Sequence, residues 1–284
     1  MSDTSATISL PDGRTLGYAT WGDPSGVPLF FFHGCPGSRF NARSVHTPAC
    51  DAGILLIAPE RPGYGLSSPN VPRRLTAWPE DVEVLADSLG LERFHLAGAS
   101  GGGPHALVCA AKIPQRLRSV TVVSSLSPFE APSATHGMDP VLRRLWTSPG
   151  WIQRVLVRVM SLGSRWAPDS ALIPTRDAHA LPFFEEVEIR EAFLDDMRES
   201  LKDGGAAMAA EVAMLSRPWG FELSDIELPV RLWHGELDAN CPRGMAEYLA
   251  LSIPKVEATI FPGEGHMCAF ERLDEFFAAF RDGG

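Results

Sequence analysis

Residues 98–102 read Gly98-Ala99-Ser100-Gly101-Gly102 and follow the short apolar run Phe94 to Ala97. A serine that must project its Oγ at the top of a sheet sits on a strained strand-to-helix turn, and small neighbours let the backbone double back. Pro104 fits a helix starting just after Ser100, because a missing N–H costs little in a first turn. A serine hydroxyl is a weak nucleophile at neutral pH, so it needs a general base, and the base needs an orienting partner. Two later loops offer them. Asp238 lies in His234-Gly235-Glu236-Leu237-Asp238, after the apolar run Val230 to Trp233. His266 lies in Pro262-Gly263-Glu264-Gly265-His266-Met267, after Val256 to Phe261. Glu236 is a rival acid in the same loop as Asp238. Acyl transfer also needs donors aimed at a developing oxyanion. The backbone N–H of Gly101 supplies one, and that of Cys35 in His33-Gly34-Cys35-Pro36-Gly37 supplies the other.

These groups work together only if a scaffold gathers them. Residues 5–10 and 14–21 flank the turn Pro11-Asp12-Gly13 and predict an opening hairpin. Val27 to Phe32, Ile54 to Ala58, Phe94 to Ala97, Val120 to Val123, Leu228 to Trp233 and Val256 to Phe261 read as buried strands. Residues 76–89, with Thr76 as cap, 101–112 and 267–281 read as helices between and after them. Strands alternating with helices imply an α/β fold with a mostly parallel sheet covered on both faces. In such sheets, reacting groups collect at the carboxyl ends of the strands. The stretch 127–223 breaks the rhythm, with helical patterns around 139–162, 184–200 and 205–215 and four of the chain's tryptophans, Trp146, Trp151, Trp166 and Trp219. The expected organisation is a core of residues 1–126 and 224–284 carrying a helical cap, 127–223. Pocket candidates are His33, Arg61, Tyr64, Trp146, Trp151, Trp166, Phe183, Phe184 and Trp219. For His33 the expected role is to shape the Cys35 loop by hydrogen bonding.

At 284 residues and 45% hydrophobic, the chain can bury a sizeable core. The net charge of −10, with no basic cluster, argues against a nucleic-acid partner. No run of about 20 apolar residues predicts a membrane span. The polar N-terminus lacks the features of a signal peptide, so a cytoplasmic location is expected. The five cysteines, Cys35, Cys50, Cys109, Cys241 and Cys268, are widely spaced and predict neither a disulfide framework nor a zinc site. The remaining histidines, His46, His95, His105, His136, His179 and His234, show no ligand spacing. Neither metal nor cofactor is expected, and composition leaves the oligomeric state open.

HGCPG at 33–37, ERPGYGLS at 60–67, GASGG at 98–102, HGELD at 234–238 and GEGHM at 264–268 occur in this order along the chain. In this the chain resembles the α/β-hydrolase superfamily, in the branch of serine hydrolases with a helical cap. The resemblance implies Ser100 as nucleophile, His266 as base, Asp238 as acid, and Cys35 and Gly101 as oxyanion donors. It implies a cofactor-free enzyme that cleaves a small to medium apolar ester or lactone through an acyl-enzyme. A serine at the nucleophile position sets the chain apart from epoxide hydrolases and haloalkane dehalogenases, which carry aspartate there. HGCPG and ERPGYGLS are similar to proline iminopeptidases, but that branch usually has tryptophan after the serine, where Gly101 stands. An aminopeptidase of that type, a C–C bond hydrolase and a cofactor-free haloperoxidase remain alternatives. A ligand-binding receptor retaining the triad is an alternative from another class. The acidic stretch Glu185-Glu186-Val187-Glu188 could meet a substrate amine, or be a solvated helix face.

Overall fold

The computed structural model of the protein describes residues 4–166, 169 and 181–281. Eight strands form one sheet: β1 (Ser5–Ser9), β2 (Thr15–Gly22), β3 (Val27–Phe32), β4 (Ile54–Pro59), β5 (Phe94–Ala99), β6 (Leu117–Val123), β7 (Val230–Gly235) and β8 (Val256–Phe261). Their order is β1-β2-β4-β3-β5-β6-β7-β8. β1 and β2 form the expected hairpin, and β2 pairs antiparallel with β4. All other neighbours are parallel. The continuous apolar runs follow from this arrangement. Phe30, Phe32, Phe94, Leu96, Val120 and Val122 pack into one apolar layer, and Leu29, Leu56, Ala97 and Trp233 into the other. A central parallel strand covered on both faces has no polar side to show.

Helices connect the strands. α1 (His46–Asp51) lies between β3 and β4, α2 (Trp78–Ser88) between β4 and β5, and α3 (Gly103–Lys112) between β5 and β6. Thr76 does not cap α2. It lies in a 3₁₀ turn, Leu75–Ala77, and Ala77 stands at the cap position without a side-chain bond. Pro104 does fall in the first turn of α3.

Between β6 and β7 the described residues form helices and no strand: α4 (Pro140–Thr147), α5 (Gly150–Trp166), α6 (Val187–Ser200) and α7 (Ala206–Leu215). The pattern over 139–162 is thus two helices. Pro149 disfavours helix at the residue before it, and Ser148 is extended at ψ 154°. α7 is apolar around its whole circumference apart from Glu211; Ala207, Met208, Ala209, Glu211, Val212 and Leu215 are buried, while the small Ala206 and Ala210 face outward. α8 (Arg243–Ser252) links β7 to β8, and the closing segment is a 3₁₀ turn, Cys268–Arg272, followed by α9 (Leu273–Arg281). Among the described residues, no helix is long and apolar enough to cross a membrane.

Candidate active site

Four strand ends converge. His33 follows β3, Ser100 follows β5, Asp238 follows β7 by three residues and His266 follows β8 by five. Ser100 adopts φ 53°, a left-handed conformation that a residue with a Cβ takes at a cost. The surrounding glycines explain how the turn closes. A Cβ at Gly98 would stand 2.5 Å from the Gly102 carbonyl oxygen, and one at Gly102 would stand 2.2 Å from that of Phe32. The sharp reversal therefore packs backbone against backbone, and only residues without side chains fit there.

His266 Nδ1 lies 2.7 Å from Asp238 Oδ2. The other oxygen, Oδ1, accepts the N–H groups of Asn240 at 2.8 Å and Cys241 at 2.9 Å. Burial pushes the Asp238 carboxyl up. Its interaction with His266, together with His234 and the Cys241 N–H, outweighs burial and holds it below the ordinary carboxylate value. Glu236, the rival acid, points elsewhere: it is half-buried, pairs with Arg243 at 3.1 Å and accepts the N–H of Gly263. His234 donates through Nε2 to the Cys241 carbonyl at 2.7 Å, which fixes the loop carrying Asp238.

The candidate oxyanion donors are neighbours. A Cβ on Gly101 would stand 2.6 Å from the Cβ of Cys35 and 3.1 Å from its nitrogen. This close approach leaves no room for a side chain as large as tryptophan at position 101. His33 is hydrogen-bonded within the loop. Its Nδ1 donates to the Gly34 carbonyl at 2.8 Å, and burial beside Arg61 keeps the ring neutral.

A cavity of about 290 Å³ opens over Ser100 and His266. Trp146 from α4, Phe184, and Phe193 and Met197 from α6 line it opposite the strand ends. The other pocket candidates lie elsewhere. Trp151 is 63% exposed on α5. Trp219 is buried and stacks on Phe221. Phe183 packs against Phe270, which itself lines the cavity. Arg61 and Tyr64 are fully buried behind the Cys35 loop. The side chain of Trp166 lies outside the described residues, as does His179. Glu185, Glu186 and Glu188 are exposed, a solvated face.

Three residues escaped the sequence reading. Cys241 Sγ is 3.9 Å from Ser100 Oγ. Ser124, at φ 47°, donates from Oγ to the His266 carbonyl at 2.9 Å and so braces the histidine loop. Glu211 is fully buried and bonded to Arg61. The signal for Glu211 was present as a lone acid in an otherwise apolar helix. The side chains of Asp238, Cys241 and His266 bring three potential ligand atoms within 4.8 Å of one another. The carboxylate and Nδ1 already satisfy each other, and burial keeps the Cys241 thiol protonated, so the set suits a hydrogen-bonded pair better than a cation.

Comparison with known proteins bears on the fold. The family model described as "alpha/beta hydrolase fold" matches residues 27–273. A curated relative from Pseudomonas putida, the dihydrolipoyllysine-residue acetyltransferase component of an acetoin cleaving system, is 31% identical over 52% of this chain and 43% of its own length. The chain thus spans under half the length of the first curated relatives it matches. A proline iminopeptidase from Lactobacillus delbrueckii subsp. bulgaricus is 26% identical over 89% of this chain and 87% of its own. The solved structure of an alpha/beta hydrolase fold protein from Nakamurella multipartita superposes with a TM-score of 0.70 at 21% identity, covering 99% of this chain and 100% of that one.

Proposed function

Because the chain belongs to the alpha/beta hydrolase family, we propose that it is a serine hydrolase that cleaves a neutral, apolar ester or lactone through an acyl-enzyme. The observation that carries this reading is the 2.7 Å hydrogen bond between His266 and Asp238 beside a cavity that Ser100 also lines. With Nδ1 committed to Asp238, Nε2 is the ring atom that takes the Ser100 proton as Oγ attacks the carbonyl carbon. The carbonyl electrons move onto oxygen, where the N–H groups of Cys35 and Gly101 receive the charge. Collapse of this intermediate breaks the bond to the leaving oxygen, which takes the proton back from His266. Water then repeats the cycle on the acyl-enzyme and frees Ser100. The stretch 127–223 acts as a cap whose apolar side chains choose the substrate.

The character of the cavity supports an ester over the alternatives. Among the described lining residues there is no Asp, Glu, Lys or Arg. A substrate ammonium, as an aminopeptidase needs, or a substrate carboxylate finds no counter-charge there. The nearby buried acid, Glu211, is already engaged by Arg61, Tyr64 and Arg73.

The test is a panel of p-nitrophenyl esters of graded chain length, run beside lactones and aminoacyl arylamides. Turnover of neutral esters or lactones, with labelling of Ser100 by a fluorophosphonate, is the expected result. Ser100→Ala should lower kcat by about 10⁶ while leaving the melt unchanged. Turnover of aminoacyl arylamides alone would replace this reading with the aminopeptidase one.

A further inference from the structure

Glu211 is the hub of a buried network that reaches both sides of the candidate oxyanion site. Arg61 donates from Nε to Glu211 Oε1 at 2.5 Å and from Nη2 to Oε2 at 2.9 Å. The same guanidinium donates to the carbonyl of His33 at 2.5 Å and to that of Gly34 at 2.8 Å. The Gly34 carbonyl belongs to the peptide whose N–H is that of Cys35. A planar trans peptide points its oxygen and its N–H in opposite directions. Holding the oxygen from behind therefore fixes the direction of the N–H, whose nitrogen would stand 3.1 Å from a Cβ on Gly101, the other candidate donor residue. On the other flank, His105 lies 2.9 Å from the Gly101 carbonyl through Nδ1 and 3.4 Å from Glu211 through Nε2. Tyr64 donates its hydroxyl to Glu211 at 2.6 Å, and Arg73 lies 3.1 Å from it.

Every one of these partners sits on the core, whereas Glu211 sits on α7, in the helical stretch between β6 and β7. Arg61 and Glu211 are both fully buried. An arginine so placed needs its counter-charge, and its planar fork holds two carboxylate oxygens and two carbonyls only in one orientation.

We propose that Glu211 is a positioning residue for the oxyanion site: docking of α7 orients the Arg61 fork, and the fork sets the plane of the Gly34–Cys35 peptide. This rests on the serine-hydrolase reading above. Oxyanion stabilisation is then assembled only when α7 is seated on the core, so the same helical stretch that lines the cavity through α4 and α6 completes the catalytic site through α7.

The sign of the effect separates positioning from a field effect. Removing a negative charge near the site would, by field alone, favour an oxyanion and raise the rate. Loss of positioning lowers it. Glu211→Gln keeps the shape and removes the charge. The expected result with a p-nitrophenyl ester is a fall in kcat of about 10- to 100-fold with KM within about twofold, since one oriented donor is worth up to about 10³. Inhibition by a trifluoromethyl ketone, whose adduct places an oxyanion in the same site, should weaken by a similar factor. Tyr64→Phe removes one bond to Glu211 and keeps the ring. It should show the same split on a smaller scale, and it decides the matter if Glu211→Gln gives no cooperative melt. Unchanged kcat and unchanged ketone affinity in a folded variant, or a rise in kcat, would overturn the proposal. Wild-type labelling at Ser100 is the control. If labelling fails, the serine-hydrolase reading falls first, and the two failures are told apart.

Discussion

One carboxylate, that of Asp238, divides its two oxygens between a side chain and the backbone: Oδ2 faces His266 Nδ1 at 2.7 Å while Oδ1 holds the N–H groups of Asn240 and Cys241. The backbone side fixes the carboxylate, and the fixed carboxylate fixes the imidazole tautomer. Asp238→Asn can keep Oδ1 on the backbone, but it then turns an NH₂ toward Nδ1. The ring must then carry its proton on Nε2, which faces Ser100 as a donor where a base is needed, and kcat should fall by about 10⁴. Glu236→Gln, on a half-buried side chain paired with Arg243, should change kcat by less than about twofold. Steady-state kinetics on the two variants assign the acid.

The same carboxylate sets the sign of the pH dependence. Asp238 is held below its ordinary value, so it remains ionised throughout the neutral range. A lowered acid contributes stability that is present above its unfolded pKa of about 3.9 and is lost as pH falls through the folded value. The acid limb of kcat/KM therefore belongs to His266, which must be neutral to accept the Ser100 proton. A pH profile should show kcat/KM falling toward acid while the protein is still folded, although the melting temperature declines gradually below about pH 6.5, where unfolding lets the buried neutral rings of His33, His95, His105 and His234 take up protons. A melt that collapses along with activity would assign that limb to unfolding.

The strands and the four strand-end loops were legible because each depends on a local pattern: continuous apolar runs, and small residues where backbones touch. Gly98 and Gly102 show why, since each lies against a backbone carbonyl. The cavity wall was not legible. Trp146 and Trp151 stand five residues apart and look alike in sequence, yet Pro149 breaks the helix between them. One turns into the cavity and the other out to solvent. Arg61 and Glu211, 150 positions apart, meet only through tertiary packing, so no local pattern could pair them.

Ser100 combines function with backbone strain, and the two can be separated. Its φ of 53° suits glycine better than any residue with a Cβ. Ser100→Gly removes the nucleophile and the strain together, whereas Ser100→Ala removes only the nucleophile. Both should be inactive, and the glycine variant should be the more stable of the two by about 1 kcal/mol, within the usual range for such strain and after the entropy glycine gives back. Chemical denaturation of the pair measures this. An alanine variant at least as stable as the glycine one would show that the turn carries no strain.

Substrate size should be read by the side chains that face the cavity, and the two exposed or remote tryptophans provide the control. Trp146 and Phe184 line the space of about 290 Å³ over Ser100, Trp151 faces solvent, and Trp219 stacks on Phe221. An apolar wall distinguishes substrates by about 1–3 kcal/mol per methylene, or about 10- to 200-fold in kcat/KM. Trp146→Ala and Phe184→Ala should each shift the ratio of kcat/KM between long and short acyl esters toward the longer chain, while fluorophosphonate labelling persists. Trp151→Ala should leave that ratio and the melting temperature nearly unchanged. Trp219→Ala should lower the melting temperature, since truncating a buried tryptophan costs about 3–5 kcal/mol, without moving the ratio. A ratio that moves with Trp151 or Trp219 and not with Trp146 or Phe184 would mean that the acyl chain leaves the cavity along another wall.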